Sequence, residues 1–359
     1  MRLKHFIFSL ITTLLFFVVL ESGVRLFLFL KARDSIFLLH GLVKKGEDPT
    51  NRFENVYDAQ GNCLYFRTKP SDDEQNPVNT FGFRGPEISK KRPHTKRIVC
   101  LGGSTTYGLG LSYGNTYPKL LQNYIDKNSG AGHYEIINAG IPAHKLFHII
   151  EQVKHVILGL EPDIIILMDV FNNLITDAKD FAFIKIEGEE KNLFIKASRK
   201  LIKGMRKYSL FVSVSDDIAK KGVRNYLKHW DWQRGSTAIM NSQVVWQKYR
   251  SNLHALFSLL TKNNPSISVI VLDEPMNFID YPELAPPVFK AYDIQKMVSM
   301  TYENVHAYNI AEALNNAYKK GEPVWIAPYY DPIHLSRRGN EVIADILGNY
   351  ILSKDYPAQ

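Results

Sequence analysis

A short apolar run that ends in two glycines and a serine constrains the fold of this 359-residue chain more than any other stretch. The run, Ile98 to Leu101, has breaker residues on both sides and predicts a buried parallel strand. Gly102 and Gly103 allow a sharp turn there, and the later apolar stretch Tyr117 to Ile125 predicts a helix. Ser104 would then stand at the carboxyl end of a strand, where α/β sheets bind their ligands.

A glycine-rich turn with a capping serine is the alternative explanation of this stretch. A phosphate-binding loop fits less well, because no Gly-Lys-Ser/Thr follows.

Three later segments bear on the role of Ser104. One strand-like stretch leads into Gly140, and a second leads into Asn172. The segment Asp331 to Ser336 contains His334 just ahead of a predicted helix. In order and spacing, the four segments resemble those of the SGNH (GDSL-type) hydrolases, which supply a serine, a glycine, an asparagine and a histidine with an aspartate three residues before it. The resemblance extends from position 97 to the C-terminus, except for a central stretch without a family motif.

This resemblance implies the chemistry of a serine hydrolase. Ser104 would be the nucleophile, His334 its general base, and Asp331 the acceptor of the other imidazole N–H. The oxyanion hole would consist of the backbone N–H groups of Ser104 and Gly140 and the side-chain amide of Asn172. Each residue taken alone has an ordinary explanation as a helix cap, a packed side chain or a turn former, so the prediction depends on the ordered set. The chemistry needs no cofactor or metal, and none is expected.

Three positions depart from the family pattern. Gly103 stands where the family often has aspartate, Val170 replaces the glycine two residues before the oxyanion asparagine, and Asn173 replaces the aspartate after it. The side chain at position 103 is not part of the charge relay, so its replacement need not matter. The changes at positions 170 and 173 concern the placement of Asn172, and therefore the strength of catalysis.

Predicted strands alternate with predicted helices along the chain, which indicates a parallel sheet covered on both faces. The family resemblance adds the expectation of a three-layer, flavodoxin-like strand order, in which the ends of the first three strands meet at the switch point. Strands are predicted at Ile98–Leu101, Glu135–Asn138, Ile164–Met168, Ser268–Leu272 and Asn304–Tyr308. Helices are predicted at Tyr117–Ile125, Leu146–Leu158, Trp246–Thr261, Asp293–Thr301 and Arg338–Leu352.

The N-terminus carries an apolar segment of nearly membrane-spanning length. Phe6 to Leu20 alone would extend about 22 Å as a helix, short of the roughly 30 Å hydrocarbon core. Apolar character resumes at Val24, so that Phe6 to Leu30 would extend roughly 37 Å. This length favours one uncleaved transmembrane helix over residues 1–30. A signal peptide cleaved at the weak site Ser22-Gly23 and a buried soluble helix are the alternatives.

Basic residues on both sides of this segment leave its orientation open. Anchored relatives in the SGNH family carry their catalytic domain outside the cytoplasm, and the resemblance implies the same placement here. Residues 31–95 are predicted to be an extension and linker, and residues 96–353 the hydrolase-like domain. Within the extension, Asn79 to Gly85 resembles a segment found just upstream of the serine in anchored relatives. A structural role is expected for it, as an edge strand with Gly82 and Gly85 at turns.

Residues 176–243 are predicted to be a basic helical insertion in the domain. The stretch from Lys191 to Arg234 contains twelve lysines and arginines but only three aspartates, and this excess accounts for the chain's net charge of +8. Apolar and basic residues alternate in blocks from Lys196 to Phe211, as in an amphipathic helix. Such a helix could lie on a membrane surface or bind an anionic substrate, or it could simply present a solvated face beside the core. The charge is otherwise diffuse and nucleic-acid motifs are absent from the sequence, so no nucleic acid is expected as a partner. Two cysteines, Cys63 and Cys100, do not suggest a disulfide framework.

Together these observations predict a membrane-anchored SGNH-type serine esterase. Its expected substrates are O-acyl esters, especially O-acetyl esters, of a glycan or lipid at the cell surface. Two alternatives stay open at this point. One is an O-acyltransferase that uses the same triad, with a sugar hydroxyl in place of water. The other is a glycan-binding module that has the fold without the catalysis.

Overall fold

A five-stranded parallel sheet forms the centre of the structure, and helices pack on both of its faces. The computed structural model describes residues 16–23, 53–175, 243–327 and 331–355. From residue 53 onward, the strands in these ranges are β1 (Phe53–Tyr57), β2 (Cys63–Thr68), β3 (Lys96–Gly102), β4 (Tyr134–Asn138), β5 (Ile164–Met168), β6 (Ser268–Leu272), β7 (Val305–Tyr308), β8 (Trp325–Ala327) and β9 (Asp331–Leu335). The α-helices are α1 (Ser104–Tyr107), α2 (Tyr117–Ser129), α3 (Leu146–Gln152), α4 (Phe171–Ile175), α5 (Gln243–Asn263), α6 (Ala285–Ser299), α7 (Ala311–Lys319) and α8 (Arg337–Asp355).

The central strands lie in the order β4-β3-β5-β6-β7, and every neighbouring pair is parallel. This is the flavodoxin-like order that the family resemblance implies, and the predicted α/β class is confirmed. All five predicted strands are present. The bounds of β5 and β6 agree with the prediction, and the others differ by at most two residues. The carboxyl ends of β3, β4 and β5 border the point at which the strand order reverses.

The central strands are apolar on both faces because helices cover both. Cys100 and Ile166 belong to a buried cluster with Leu121 of α2 and Leu347 of α8 on one face. Residues of the opposite face, such as Val99, are buried as completely. A strand without an exposed face reads as a continuous apolar run, which is the pattern from which β3, β5 and β6 are predicted. The Cys100 thiol is free and fully buried in this core.

Two of the predicted helices have different bounds in the structure. The helix predicted at Leu146–Leu158 is α-helical only to Gln152 and continues as a π-helical turn over Val153–Ile157. The helix predicted at Asp293–Thr301 begins earlier, at Ala285, with a proline in its first turn. Proline lacks the N–H that a first helical turn leaves unbonded, so it starts this helix rather than breaking it. Helix α7 and the antiparallel pairs β1–β2 and β8–β9 were not predicted.

The segment Asn79 to Gly85 forms a turn at the edge of the central sheet. Its only pairing with the sheet is a single antiparallel bridge between Arg84 and Asn138, the last residue of β4, so the expected edge strand is reduced to one bridge. Gly82 has a φ of 81°, a left-handed conformation that glycine adopts without strain. The carboxamide oxygen of Asn79 accepts the N–H groups of Phe81 and Phe83 and holds the turn. A structural role of this segment agrees with these contacts.

The chain divides into two compact units, one of residues 1–51 and 185–232 and the other of residues 52–184 and 233–359. All elements from β1 to α8 belong to the second unit. In the first unit the described residues are 16–23, which are helical. The remainder of the predicted anchor at 1–30 and the predicted insertion at 176–243, apart from its last residue, lie outside the described residues. Among the described helices, none combines the length and the apolar character that a membrane crossing requires.

Candidate active site

Ser104, His334 and Asp331 form a continuous chain of hydrogen bonds. Ser104 is the first residue of α1, two residues after the end of β3, and the other two residues lie on β9. The Nε2 atom of His334 is 2.8 Å from the Ser104 hydroxyl oxygen, and its Nδ1 atom is 2.6 Å from an Asp331 carboxylate oxygen. The structure thus brings together all three residues that the sequence nominates for the triad, in the expected sequence of contacts.

The turn that presents Ser104 depends on glycine. A Cβ atom at Gly102 would collide with the carbonyl oxygen of Met168 on the neighbouring strand β5 and with the hydroxyl of Thr106. A Cβ atom at Gly140 would lie 2.5 Å from the backbone nitrogen of Tyr107, inside α1. Both glycines therefore allow the short helix that begins at Ser104 to pack against the ends of β5 and β4.

Asp331 is held in place by backbone groups of its own strand and by the side chain of His334. One carboxylate oxygen accepts the backbone N–H groups of Ile333 and His334, and the other faces the imidazole. Burial disfavours the charged form of Asp331, but the interaction with His334 and the backbone N–H groups outweighs this effect, and the pKa of Asp331 lies below its usual value. Asp331 is therefore ionised at neutral pH and can orient the imidazole.

The environment of His334 favours its protonated form. Burial lowers the pKa of an imidazole, but here the carboxylate of Asp331, its hydrogen bond and the charge of Glu274 outweigh burial, and the pKa of His334 lies above its ordinary value of 6.5. The side chain is only partly covered, with 18% of its surface exposed. His334 is thus accessible, and its surroundings stabilise the positive charge that it would carry after accepting a proton from Ser104.

The amide of Asn172 lies beside the backbone just ahead of Ser104. Its nitrogen donates to the carbonyl oxygen of His144 at 2.9 Å. An amide nitrogen carries two hydrogens, and this bond uses one of them. A Cβ atom at Gly103 would lie 2.6 Å from the same nitrogen. A side chain at position 103 would therefore compete for space with the Asn172 amide.

The other two departures from the family pattern hold the Asn172 segment in place. Asn173 accepts the N–H of Leu146 with its side-chain oxygen and donates its side-chain nitrogen to Asp169. Val170 is buried and donates its backbone N–H to Glu274. These contacts connect the start of α4 to α3 and to the loop after β6. The side chain of Asn173 and the backbone of Val170 thus connect the segment that carries Asn172 to the neighbouring elements.

Gly140, the third residue nominated for the oxyanion hole, already has a hydrogen-bond acceptor. Its backbone N–H donates to the side-chain oxygen of Asn138 at 3.1 Å. The loop continues through Ala143, whose φ of 66° is unusual for a residue with a side chain, to His144. Gly140 therefore lies at the site, but its N–H could serve an oxyanion only by being shared with Asn138.

Glu274 is a site residue that the sequence analysis missed. It lies two residues after β6 and is buried, and its carboxylate binds both the residue after Ser104 and the segment before Asn172. A signal for it was present, because Asp273 and Glu274 follow a predicted strand just as the other polar site segments do. His144, whose backbone carbonyl oxygen accepts a hydrogen bond from the Asn172 amide, was also missed. A contact made by a backbone carbonyl cannot be recognised from the type of residue.

Comparison with protein-family models and with curated protein sequences found no match for the chain. Solved structures do include similar chains. An acetyl xylan esterase is 16% identical with a TM-score of 0.45, covering 71% of this chain and 99% of its own. A lipase/acylhydrolase from Enterococcus faecalis is 16% identical with a TM-score of 0.45, covering 74% of this chain and 100% of its own. A catalytic mutant of an acetylxylan esterase from Geobacillus stearothermophilus is 13% identical with a TM-score of 0.45, covering 71% and 94%.

Proposed function

We propose that this chain is a serine hydrolase that cleaves O-acyl esters, with Ser104 as nucleophile, His334 as general base and Asp331 as the orienting carboxylate. One observation carries the proposal: the unbroken contacts from Ser104 through His334 to Asp331, at 2.8 and 2.6 Å. A serine hydroxyl becomes an effective nucleophile when a neighbouring base takes its proton, and these distances are those of direct proton transfer.

The reaction would proceed in two halves. In the first, the Ser104 oxygen attacks the ester carbonyl while His334 takes the hydroxyl proton, and the tetrahedral intermediate collapses as His334 returns the proton to the leaving alcohol. In the second, His334 takes a proton from water, the resulting hydroxide attacks the acyl-enzyme, and the acid leaves as Ser104 regains its proton. Asp331 stays ionised throughout and stabilises the imidazolium.

The negative charge of each tetrahedral intermediate needs hydrogen-bond donors placed where it develops. Asn172 supports this role, because its amide nitrogen lies close to Gly103 and one of its two hydrogens is used by His144. The backbone N–H of Ser104 would be the second donor. Gly140 would contribute a third by sharing the N–H that it now donates to Asn138. Loss of one such donor typically slows turnover by about a hundredfold or more.

The substrate we propose is an O-acyl ester, especially an O-acetyl ester, of a glycan or lipid fixed at the cell surface. The support is in the sequence: an anchored enzyme suits a substrate that does not diffuse, and the apolar segment Phe6 to Leu30 is long enough for an anchor. The basic segment between Lys191 and Arg234 suits anionic head groups or sugars. The domain would lie outside the cytoplasm, as in the anchored proteins that the sequence resembles.

The test is ester turnover by the full-length chain in detergent micelles. Wild-type protein should hydrolyse p-nitrophenyl acetate, and Ser104→Ala and His334→Ala should each remove nearly all of that rate. Two exposed positions on other elements provide matched controls of the same residue types, Ser353→Ala and His306→Ala, which should keep it. A Ser104→Ala protein with wild-type turnover would refute the proposal.

The same preparation distinguishes hydrolysis from its alternatives. The protein is incubated with an acetyl donor and a candidate oligosaccharide, and free acetate and acetylated sugar are followed by mass spectrometry. Acetate alone supports the esterase, because water is then the acceptor. Formation of acetylated sugar would refute the esterase and identify the protein as an acyltransferase. If neither product forms and saturable glycan binding persists in Ser104→Ala, the chain is a glycan-binding module without catalytic activity.

A further inference from the structure

We infer that Glu274 is a positioning residue of this site, which holds the nucleophile segment and the Asn172 segment together and contributes a negative charge to the surroundings of His334. The inference rests on the proposed function for its kinetic consequences, but its geometry stands independently of that function. Glu274 lies outside the four sequence segments from which the triad and oxyanion hole are predicted.

The contacts of Glu274 connect the two halves of the site. One carboxylate oxygen accepts the hydroxyl of Thr105, the residue that follows Ser104, at 2.8 Å. The other accepts the backbone N–H groups of Val170 and Phe171, just ahead of Asn172, at 2.9 and 2.5 Å. One planar group thus sets the spacing between the segment that carries the nucleophile and the segment that carries the amide.

The carboxylate is costly to bury, which argues for a role beyond packing. Glu274 is 2% exposed, and among the described residues it forms no ion pair with lysine or arginine. An ionised carboxylate without such a pair needs several hydrogen-bond donors to remain charged. Its three donors all belong to the two site segments. A neutral glutamine could hold these segments together as well, so holding them together does not by itself require a charge.

The charged and titratable neighbours indicate which acid keeps its charge. Burial and the charge of Glu274 raise the pKa of Asp169 well above its usual value. Burial also raises the pKa of Glu274, although the N–H groups of Phe171 and Val170, the Thr105 hydroxyl and His334 oppose this rise. The hydrogen bonds favour the charge on Glu274, because both of its carboxylate oxygens accept hydrogen bonds, whereas one carboxylate oxygen of Asp169 has no hydrogen-bond partner among the described residues. The buried phenol of Tyr249 also interacts with Glu274, and the carboxylate of Asp331 interacts with His334.

This arrangement has a consequence during turnover. His334 becomes positively charged when it takes the Ser104 proton, and Asp331 and Glu274 both favour that form. At the same time, the bond from Thr105 limits movement of the residue next to the nucleophile. Misplacement of reacting groups by about 1 Å can slow a reaction by about a hundredfold, so a fixed spacing between Ser104 and Asn172 should appear in kcat more than in KM.

The deciding experiment is an NMR titration of His334 in full-length protein labelled at histidine, with the resonance assigned by its loss in His334→Gln. In Glu274→Gln the amide can accept from Val170 and Phe171 and donate to Thr105, so the links remain while the charge is removed. The titration midpoint of His334 should fall by roughly half a pH unit or more. Asp273→Asn is the matched control. That neighbouring buried carboxylate caps α7 through the N–H groups of Ile310 and Ala311, and its removal should leave the His334 midpoint unchanged.

A second pair of variants tests the positioning role and does not depend on removing the charge. Thr105→Val deletes the hydroxyl that binds Glu274 and keeps the side-chain volume, and should lower kcat roughly tenfold with little change in KM. Thr105→Ser restores a hydroxyl and should recover most of the rate. A wild-type kcat in Thr105→Val would overturn the positioning role.

An unchanged His334 midpoint in Glu274→Gln would overturn the charge role, whatever the turnover. A wild-type protein without ester turnover would refute the proposed function, while the titration would still decide whether Glu274 acts on His334.

Discussion

A Cβ atom at Gly103 would approach the side-chain nitrogen of Asn172 to 2.6 Å, so the residue before the nucleophile and the proposed oxyanion donor compete for one space. Gly103→Ala must therefore move the Asn172 amide. We expect kcat to fall by roughly tenfold to a hundredfold with KM nearly unchanged, approaching the loss expected for Asn172→Ala. Gly103→Asp, which restores the residue common in the SGNH family, should be no better.

Gly114→Ala is the matched control for this substitution, because a Cβ atom there would meet nothing within 4 Å. It should retain wild-type kinetics with p-nitrophenyl acetate. Equal kcat values for Gly103→Ala and the wild type would show that Asn172 takes no part in turnover from its present position.

The rate of ester hydrolysis should rise with pH through a limb whose midpoint lies above 6.5. His334 must be neutral to accept the Ser104 proton, and Asp331 and Glu274 outweigh burial to raise its pKa, so the neutral form accumulates only at higher pH. In a profile of kcat/KM against pH, Asp331→Asn should move this limb to lower pH and reduce the plateau. Asp345→Asn, at an exposed position of α8, is the control. A wild-type limb below pH 6 would contradict the described surroundings of His334.

Arg84 should be required for the stability of the nucleophile helix. Its buried guanidinium donates to the carbonyl oxygens of Tyr107 and Gly108 at the end of α1, and to the side chain of Asn76 and the carbonyl of Leu111. Hydrogen bonds from a charged donor contribute about 1.5–3 kcal/mol each, and a buried carbonyl left without a donor is costly. The single ammonium group in Arg84→Lys cannot reproduce the planar arrangement of donors that the guanidinium provides.

We therefore expect Arg84→Lys to lower the free energy of unfolding in urea by about 2–4 kcal/mol, and to lower kcat because α1 begins at Ser104. The exposed Arg92→Lys is the matched control and should change neither quantity. If the two variants unfold at the same urea concentration, the contacts of Arg84 do not stabilise the native state.

His144 should make the protein sensitive to acid. Burial lowers its pKa to about 4, and its Nε2 atom lies 2.6 Å from the Phe66 carbonyl oxygen, where a neutral imidazole can donate. Between pH 6.5 and 4 the unfolded chain binds a proton at this residue that the folded protein does not, so stability falls as pH falls. The shift corresponds to about 3 kcal/mol lost over that interval.

The measurement is the difference in unfolding free energy between pH 7 and pH 4.5, in wild type and in His144→Gln. The wild type should lose more, by about 2 kcal/mol or more, because glutamine does not titrate. His306→Gln, at an exposed position, controls for the change in residue type. An equal loss in wild type and His144→Gln would show that His144 is not held neutral in the folded state.

Several features of the fold were predictable because the signal for them is local. Strands β3, β5 and β6 are buried on both faces, and such strands read as unbroken apolar runs. The polar residues after β3, β4 and β5 were identified by their position at strand ends. The hairpins β1–β2 and β8–β9 were missed, because short strands with mixed burial show neither a continuous run nor clear alternation.

The order of strands and helices could be read from local apolar patterns, and Ser104, Asn172 and His334 could be assigned to segments that a parallel sheet would bring together. Which atoms meet depends on the folded arrangement. Ser104 and His334 lie 230 positions apart, and Thr105 and Glu274 169 apart, so neither contact is encoded in any local pattern. The physical reason is that apolar periodicity reports burial residue by residue, whereas a hydrogen bond or a steric limit depends on sub-ångström placement by the packed sheet. The room that Gly103 leaves for Asn172 exists only once β3 and β5 are paired, because Gly103 follows β3 and α4 follows β5.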